Sequence, residues 1–292
     1  VNFIKGEMKM AEITLEAFGK INLALDVLHK RADGYHELNT IMQQIDLKDT
    51  ITLKELKEGI KIQCNDKEVP IDHTNLVYRA WEKIIEKTGI NKGIHINIDK
   101  KIPIASGLAG GSTDGAAVLK GLNNLWNLNL SQEELMDIGL EIGADVPFCI
   151  MGGTAHAKGV GEILTKLNSF SNKMVLLANI GIPISTSYVY ENLNLNQRNN
   201  RIDIDNMIQY IQEDNMYKMA ENMSNIMEGL VIKEYPIIGE IKRDMIKYGA
   251  LNSLMSGSGP TVFGLFDDEE KLYRCKYELE KKVEKVFVAR TI

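Results

Sequence analysis

The sequence predicts an α+β fold divided into two domains, and three observations lead there. Its 292 residues exceed what one compact core ordinarily organises. Short runs of alternating polarity, the mark of half-buried strands, fill the stretch from Ala11 to Cys64, whereas later segments repeat apolar residues at helical spacing. The character shifts after Gly161, where a short apolar run leads into a polar, asparagine-rich stretch. The boundary is therefore placed near Ser169, giving domains 1–168 and 169–292.

In the first domain ITLEAF, INLALDVL, the segment from Glu37 to Leu47, TITLKEL and IKIQC read as strands. Leu76, Ala80, Trp81, Ile84 and Ile85 fall on one side of a helix over Asn75 to Thr88, with Gly89 as its stop. IHINI is a further strand that runs through Pro103 into a glycine-rich turn, and a helix from near Gly111 to about Trp126 follows. Ser131 with Glu134 forms a capping box for a helix ending near Gly143. In the second domain MVLLANI reads as a buried strand and the asparagine-rich stretch from Asn192 to Asn206 as a solvated loop. Helices through Met227 and over Tyr235 to Tyr248 come next. Strands around Leu251 to Met255 and Thr261 to Phe266 flank a second glycine turn, SGSGP. A helix from about Glu269 and a strand near Val286 complete the domain.

Composition narrows the function. Hydrophobic residues at 44% and charged residues at 25% are ordinary for a globular protein. A net charge of −6 with no run of lysine or arginine argues against nucleic acid as a partner. Cys64, Cys149 and Cys275 are odd in number and outside any CxxC pattern, which argues against a disulfide framework or a zinc site and points to a reducing, cytoplasmic setting. His29, His36 and Asp33 read as polar loop residues rather than metal ligands, and no metal-ligating residue is assigned. No stretch approaches the roughly 18 apolar residues of a membrane helix, so no membrane partner is expected, and the N-terminus lacks a signal-peptide core. The first ten residues, with Met8 and Met10, read as an extended start or a loose arm without assigned role.

The most telling segment is PIASGLAGGSTDGAA. Pro103, Ile104, Ala105, Ser106, Gly107, Leu108, Ala109, Gly110, Gly111, Ser112 and Thr113 form a turn that opens directly onto a helix. Gly107, Gly110 and Gly111 free the backbone to approach a ligand, the helix start adds unpaired N–H groups and dipole, and Ser112 and Thr113 add hydroxyls for phosphate or its metal. The spacing is neither GxxxxGK[ST] nor GxGxxG, which sets aside both standard nucleotide loops. The competing reading is a glycine-rich connection with no ligand.

Three separated segments resemble one family. PIASGLAGGSTDGAA resembles the phosphate loop of the kinases named for galactose, homoserine, mevalonate and phosphomevalonate (GHMP), and MSGSGPTVFGLF resembles their C-terminal glycine motif. GKINLALDVLHKRADGYHELNTIMQQIDL, with GADVPF and GVGEIL, resembles the branch that acts on a cytidine-diphosphate-linked methylerythritol. The resemblance implies an N-terminal ribosomal-protein-like β/α domain, a C-terminal ferredoxin-like α+β domain and an active site between them. It also implies transfer of the ATP γ-phosphate to the 2-hydroxyl of the methylerythritol unit, in the non-mevalonate route to isoprenoid precursors.

Carried over residue by residue, the resemblance makes Asp145 the residue that takes or orients the acceptor's proton and Lys20 its cationic partner. By themselves they read as a turn aspartate and a surface lysine. A carboxylate just past a helix C-terminus is, however, misplaced by roughly 0.3–1 kcal/mol unless it caps the next element or meets a cation. The resemblance places Asn22 near the substrate and His36 on the cytosine edge, with Tyr35 and an aromatic residue of the second domain, Tyr190 or alternatively Tyr188, sandwiching the ring. Gly257, Ser258 and Gly259 bring a second backbone turn to the diphosphate, the alternative being a hairpin without ligand. Mg2+ is expected to be held mainly by ATP oxygens with Ser112. Asp114, so close to phosphate, is expected to point away and pair elsewhere. The rival functions are another small-molecule GHMP kinase, acting on homoserine, mevalonate or a sugar, and a non-catalytic RNA-binding module. A monomer or weak homodimer is expected.

Overall fold

The computed structural model describes residues 11–195 and 201–292; the N-terminal ten residues and part of the asparagine-rich stretch lie outside them. Two long antiparallel strands, β1 (Glu12–Lys30) and β2 (His36–Leu56), form its backbone. The segments ITLEAF and INLALDVL are thus one strand rather than two. The interruption around Gly19 is a shift in register, one of three such irregularities in the β1–β2 ladder, between Phe18 and Lys20, Asn22 and Ala24, and Val27 and His29. The two strands are joined by the turn inside RADGYH, where Gly34 has a φ of 89° and the Asp33 carboxylate accepts from the Tyr35 amide at 3.1 Å.

Next come β3 (Ile60–Cys64), α1 (Leu76–Thr88), β4 (Gly93–Asp99), α2 (Gly110–Leu125), α3 (Gln132–Ile142), α4 (Val146–Met151), β5 (Thr154–Gly159) and β6 (Ile163–Lys166). The predicted stop and capping box are in place, Gly89 ending α1 in the left-handed region and Ser131 and Glu134 closing the box on α3, while Asn75, read as the first helical residue, is instead the N-cap that accepts from Val77 N. The sheet runs β3-β4-β2-β1, with β5 on the other half of β2 and β6 beyond it. The short elements α4, β5 and β6 were not read from the sequence, since six-residue and four-residue segments carry too few repeats to show a period.

The chain then builds a second, antiparallel sheet from β7 (Met174–Asn179), followed by α5 (Thr186–Asn192), α6 (Ile204–Gln212), α7 (Met216–Asn222), β8 (Ser224–Asn225), α8 (Glu228–Glu234), α9 (Pro236–Lys247), β9 (Asn252–Met255), β10 (Val262–Phe266), α10 (Glu269–Leu279) and β11 (Lys285–Arg290). Its order, β11-β7-β10-β9, with helices between the first and second strands and between the third and fourth, is the ferredoxin-like arrangement. Helices enter the predicted asparagine-rich loop from both sides, α5 reaching Asn192 and α6 starting at Ile204.

Three buried clusters hold the elements together. One packs α1 to α4 under the first sheet around Ile51, Leu53, Ile96 and Leu119, and a second packs α8 to α10 on the second sheet around Ile241, Met245 and Phe266. The third joins Ile21, Leu23 and Ile41 of the first sheet to Leu177, Phe263 and Leu265 of the second. Fully burying one such side chain contributes about 1.5–3 kcal/mol. β8 adds to the linkage by pairing parallel with β1, Ala24 against Ser224 and Leu25 against Asn225. No helix among the described residues is long and apolar enough to cross a membrane.

Candidate active site

Where the two sheets meet, a cavity of about 710 Å³ opens. It is bordered by the start of α2, the turn between β9 and β10, the end of β1, the RADGYH turn and α5. Strand alternation puts Lys20 and Asn22 on the same face of β1, between two register shifts, and both line the cavity. The Lys20 amide donates to the Leu108 carbonyl at 3.1 Å, which fixes the strand to the glycine loop. The Lys20 ammonium donates to Asn22 Oδ1 at 2.8 Å and lies 3.6 Å from Asp145 Oδ2; Asn22 Nδ2 in turn donates to Thr40 Oγ1 at 2.9 Å. The Lys20 side chain is 6% exposed and that of Asp145 33%, so the pair combines a buried cation with a carboxylate open to a ligand. Asp145 is at the N-cap position of α4 and makes no cap bond. The α4 dipole therefore offsets the unfavourable end of α3.

The glycine loop supplies donors. The N-cap of α2 is Ala109, which has no side-chain acceptor to offer, and the first helical bond in the loop is Thr113 N to Ala109 O at 2.9 Å. The amides of Gly110, Gly111 and Ser112 are the leading N–H groups of a 16-residue helix whose start borders the cavity. By contrast α1, α3, α5, α6, α7 and α10 begin with a side-chain cap from Asn75, Ser131, Ser185, Asp203, Asn215 and Asp268.

Ala105, Ser106, Gly107, Ala109, Gly110, Gly111 and Ser112 line the cavity, but the rest of the predicted loop does not. Leu108 is wholly buried in the core between the sheets, and the Thr113 hydroxyl donates to Phe18 O at 2.7 Å, so it is spent within the protein. Pro103 and Ile104 form the approach and lie outside the lining. The glycine roles also differ from expectation. Gly107 is left-handed, but the other positive φ values fall on Ala105 and Ala109, whereas Gly110 and Gly111 are helical. Gly110 matters through packing, since a Cβ there would come within 2.9 Å of Lys100 Nζ and 3.0 Å of Ile102 Cγ2 and would displace them.

The second glycine turn meets the first. Ser256 Oγ donates to Gly107 O at 3.0 Å and Thr261 N to Ser106 O at 3.3 Å, while a Cβ on Gly107 would lie 2.2 Å from Ser256 O. Gly257, Ser258 and Gly259 line the cavity, and Ser258 shares a 2.8 Å hydrogen bond with Thr186 at the start of α5. Asn225 holds this turn from behind, donating to Met255 O and Gly257 O at 2.8 and 2.7 Å.

At the far end His36 and Tyr190 stack directly on each other, with ring centroids 5.0 Å apart and planes 22° apart. Burial lowers the His36 pKa, with Lys30 adding to it, and raises that of the Tyr190 hydroxyl, with the Asp145 carboxylate adding to it. Tyr35 is 65% exposed on the cavity rim. His36 itself occupies one face of Tyr190, whereas the expected arrangement put Tyr35 and Tyr190 on the two faces of the base and His36 at its edge. Tyr188 does not line the cavity and its hydroxyl donates to Glu234. Thr186 and Ser187, at the start of α5, also border the cavity, as do Lys30 and Met227, to which no role was assigned. Asp114 does point away, pairing with Lys100 at 2.7 Å in the protein interior.

Comparison with known proteins adds a second line of support. Residues 75–153 match the GHMP kinases N terminal domain and residues 207–285 the GHMP kinases C terminal family. The chain is 49% identical over 258 residues to a 4-diphosphocytidyl-2-C-methyl-D-erythritol kinase of Alkaliphilus metalliredigens, covering 88% of this chain and 89% of that protein. It is 46% identical over 283 residues to the protein of the same description from Acetivibrio thermocellus, covering 97% and 100%. Among solved structures, a 4-(cytidine 5'-diphospho)-2C-methyl-D-erythritol kinase superposes with a TM-score of 0.82 at 28% identity, covering 96% of this chain and 99% of that one. A homoserine kinase from Cytophaga hutchinsonii shares the fold, with a TM-score of 0.76 at 17% identity over 100% of this chain and 97% of that one.

Proposed function

This chain belongs to the GHMP kinase family, and from that premise we propose that its cavity carries out ATP-dependent phosphorylation of the 2-hydroxyl of 4-diphosphocytidyl-2-C-methyl-D-erythritol. The observation that carries the reading is the convergence, in one cavity, of an uncapped helix start and a lysine–aspartate pair. The first is suited to a triphosphate and the second to a hydroxyl acceptor.

In this reading the triphosphate lies on the amides of Gly110, Gly111 and Ser112, with Gly107 and the turn from Gly257 to Gly259 closing around it. The acceptor's 2-oxygen attacks the γ-phosphorus, the bond from that phosphorus to the β–γ bridging oxygen breaks, ADP leaves, and the hydroxyl proton passes to Asp145. Lys20, already fixed by Asn22, neutralises charge that spreads over the transferred group. Asp145 makes no hydrogen bond to Lys20, so its carboxylate is available to the acceptor. Magnesium, when bound, screens the phosphate charge. The Ser112 hydroxyl on the cavity wall would join ATP oxygens in holding it.

The cytosine is assigned to the His36–Tyr190 corner, with Tyr35 at the rim placed to cover it and Asn22 facing the acceptor. In this reading the chain divides into two domains near Ser169, with the shared core packing them together. A monomer or weak homodimer is proposed, and a cytoplasmic location suits its substrates.

A coupled ADP-release assay with the cytidyl substrate, homoserine, mevalonate and galactose tests the assignment. Turnover confined to the cytidyl substrate is expected. Equal or greater turnover of homoserine or mevalonate overturns it, and salt-sensitive RNA binding without ATP turnover replaces it with a binding role.

A further inference from the structure

Behind the glycine loop, on the side away from the cavity, lies a buried cluster that the reaction itself does not use. Lys100 Nζ donates to Asp49 Oδ2 at 2.5 Å and to Asp114 Oδ2 at 2.7 Å, and the three side chains are 5%, 0% and 4% exposed. The other oxygen of Asp49 accepts from the backbone amides of Lys101 and Ile102 at 2.5 and 2.8 Å. These two residues lead the chain into the loop at Pro103, while Asp114 belongs to the first turns of α2, where the loop ends. The cluster therefore ties β2 to both ends of the segment between them. A Cβ on Gly110 would lie 2.9 Å from Lys100 Nζ, so the helix start is pressed directly against the clamp.

The charge arrangement fits a permanent part of the fold. Burial, with Asp49 adding to it, pushes the Asp114 carboxyl well above the usual carboxylate range, against the pull of Lys100. Asp114 Oδ1 has no hydrogen-bond partner among the described residues. Lys100, held between the two carboxylates, offsets charge that is buried beside the loop's phosphate-facing amides.

We propose that Lys100, Asp49 and Asp114 are positioning residues that hold the phosphate loop by its two ends, and so set its grip on the nucleotide rather than on the acceptor. This rests on the reading of residues 103–113 as the ATP loop.

The test compares two substitutions at one position. Asp114→Asn keeps an oxygen for Lys100, and both KM values should stay near those of the wild type. Asp114→Ala removes it, and KM for ATP should rise about 10-fold, the loss of one charge-assisted hydrogen bond, with KM for the acceptor unchanged. An unchanged KM for ATP in Asp114→Ala, or an equal rise in both KM values, overturns the proposal. Hydrogen exchange on the nucleotide-free wild type needs no variant: the Lys101 and Ile102 amides should be protected as well as the central amides of β2. Free exchange there until ATP is added means that ligand, not the clamp, orders the loop. A wild-type chain without kinase turnover removes the functional reading, and the exchange experiment still decides whether the clamp exists.

Discussion

On the cavity side of the glycine loop Lys20 and Asp145 stand 3.6 Å apart, and the carboxylate is one-third exposed; on the far side Lys100 sits 2.5 and 2.7 Å from two carboxylates that water does not reach. The residue types are the same. In the first grouping the lysine's hydrogen bond goes to Asn22, which leaves the oxygens of Asp145 able to take a substrate hydroxyl. In the second, Asp49 gives one oxygen to Lys100 and the other to two amides, so it has little left for a ligand. Burial and the partner count thus separate a pair fit for chemistry from a cluster fit for holding chain.

That contrast can be broken from either side. Asp145→Asn should lower kcat by about 10²–10⁴-fold with ATP affinity largely kept, as measured by steady-state kinetics and nucleotide titration. Near-normal turnover removes Asp145 from its role. Lys100→Met leaves two carboxylates buried without their cation and should cost about 3–5 kcal/mol in denaturant unfolding. A variant as stable as the wild type means that water reaches the cluster.

At the substrate end, Tyr190→Ala should raise KM for the cytidyl substrate by about 10-fold or more, the worth of one stacking face, and Tyr35→Ala by less because that ring is already exposed. The reverse ranking makes Tyr35 the principal face. The smallest effect concerns acid. Burial is the largest influence on His36, His95 and His156 and holds each pKa below 6.5, so the folded chain binds fewer protons than the unfolded one near that pH. The stability this contributes is present above pH 6.5 and is lost as pH falls through the lowered values. Measured as melting temperature against pH, His36→Asn should therefore lose less, or gain more, between pH 7.5 and 5.5 than the wild type, in which the raised Asp114 carboxyl works in the opposite sense; an identical pH dependence of the two contradicts the assignment.

Much of the fold was legible in the sequence because its signals are local. Gly89, Ser131 and Glu134 mark helix ends through bonds made within a few residues, and the structure places each where the pattern does. The long β1 and β2 strands were less legible: a register shift at Gly19 looks like a break until the partner strand is known. The two glycine turns could be recognised one at a time, but their mutual contact through Ser256 and Gly107, 149 residues apart, could not. The same limit hid the clamp. Asp114 was expected to turn from phosphate, yet nothing in the spacing of Asp49, Lys100 and Asp114 announces that they meet. Thr113 shows the converse error, since a hydroxyl in a phosphate-like motif was turned inward by the helix to Phe18.

The central claim is that nucleotide and acceptor meet between the α2 start and Asp145. A crystal structure with a non-hydrolysable ATP analogue and the cytidyl substrate tests it most directly. The account predicts the terminal phosphate on the amides of Gly110 to Ser112, with the acceptor 2-hydroxyl between it and Asp145. A triphosphate bound away from that helix start, or an acceptor hydroxyl out of reach of Asp145, contradicts it.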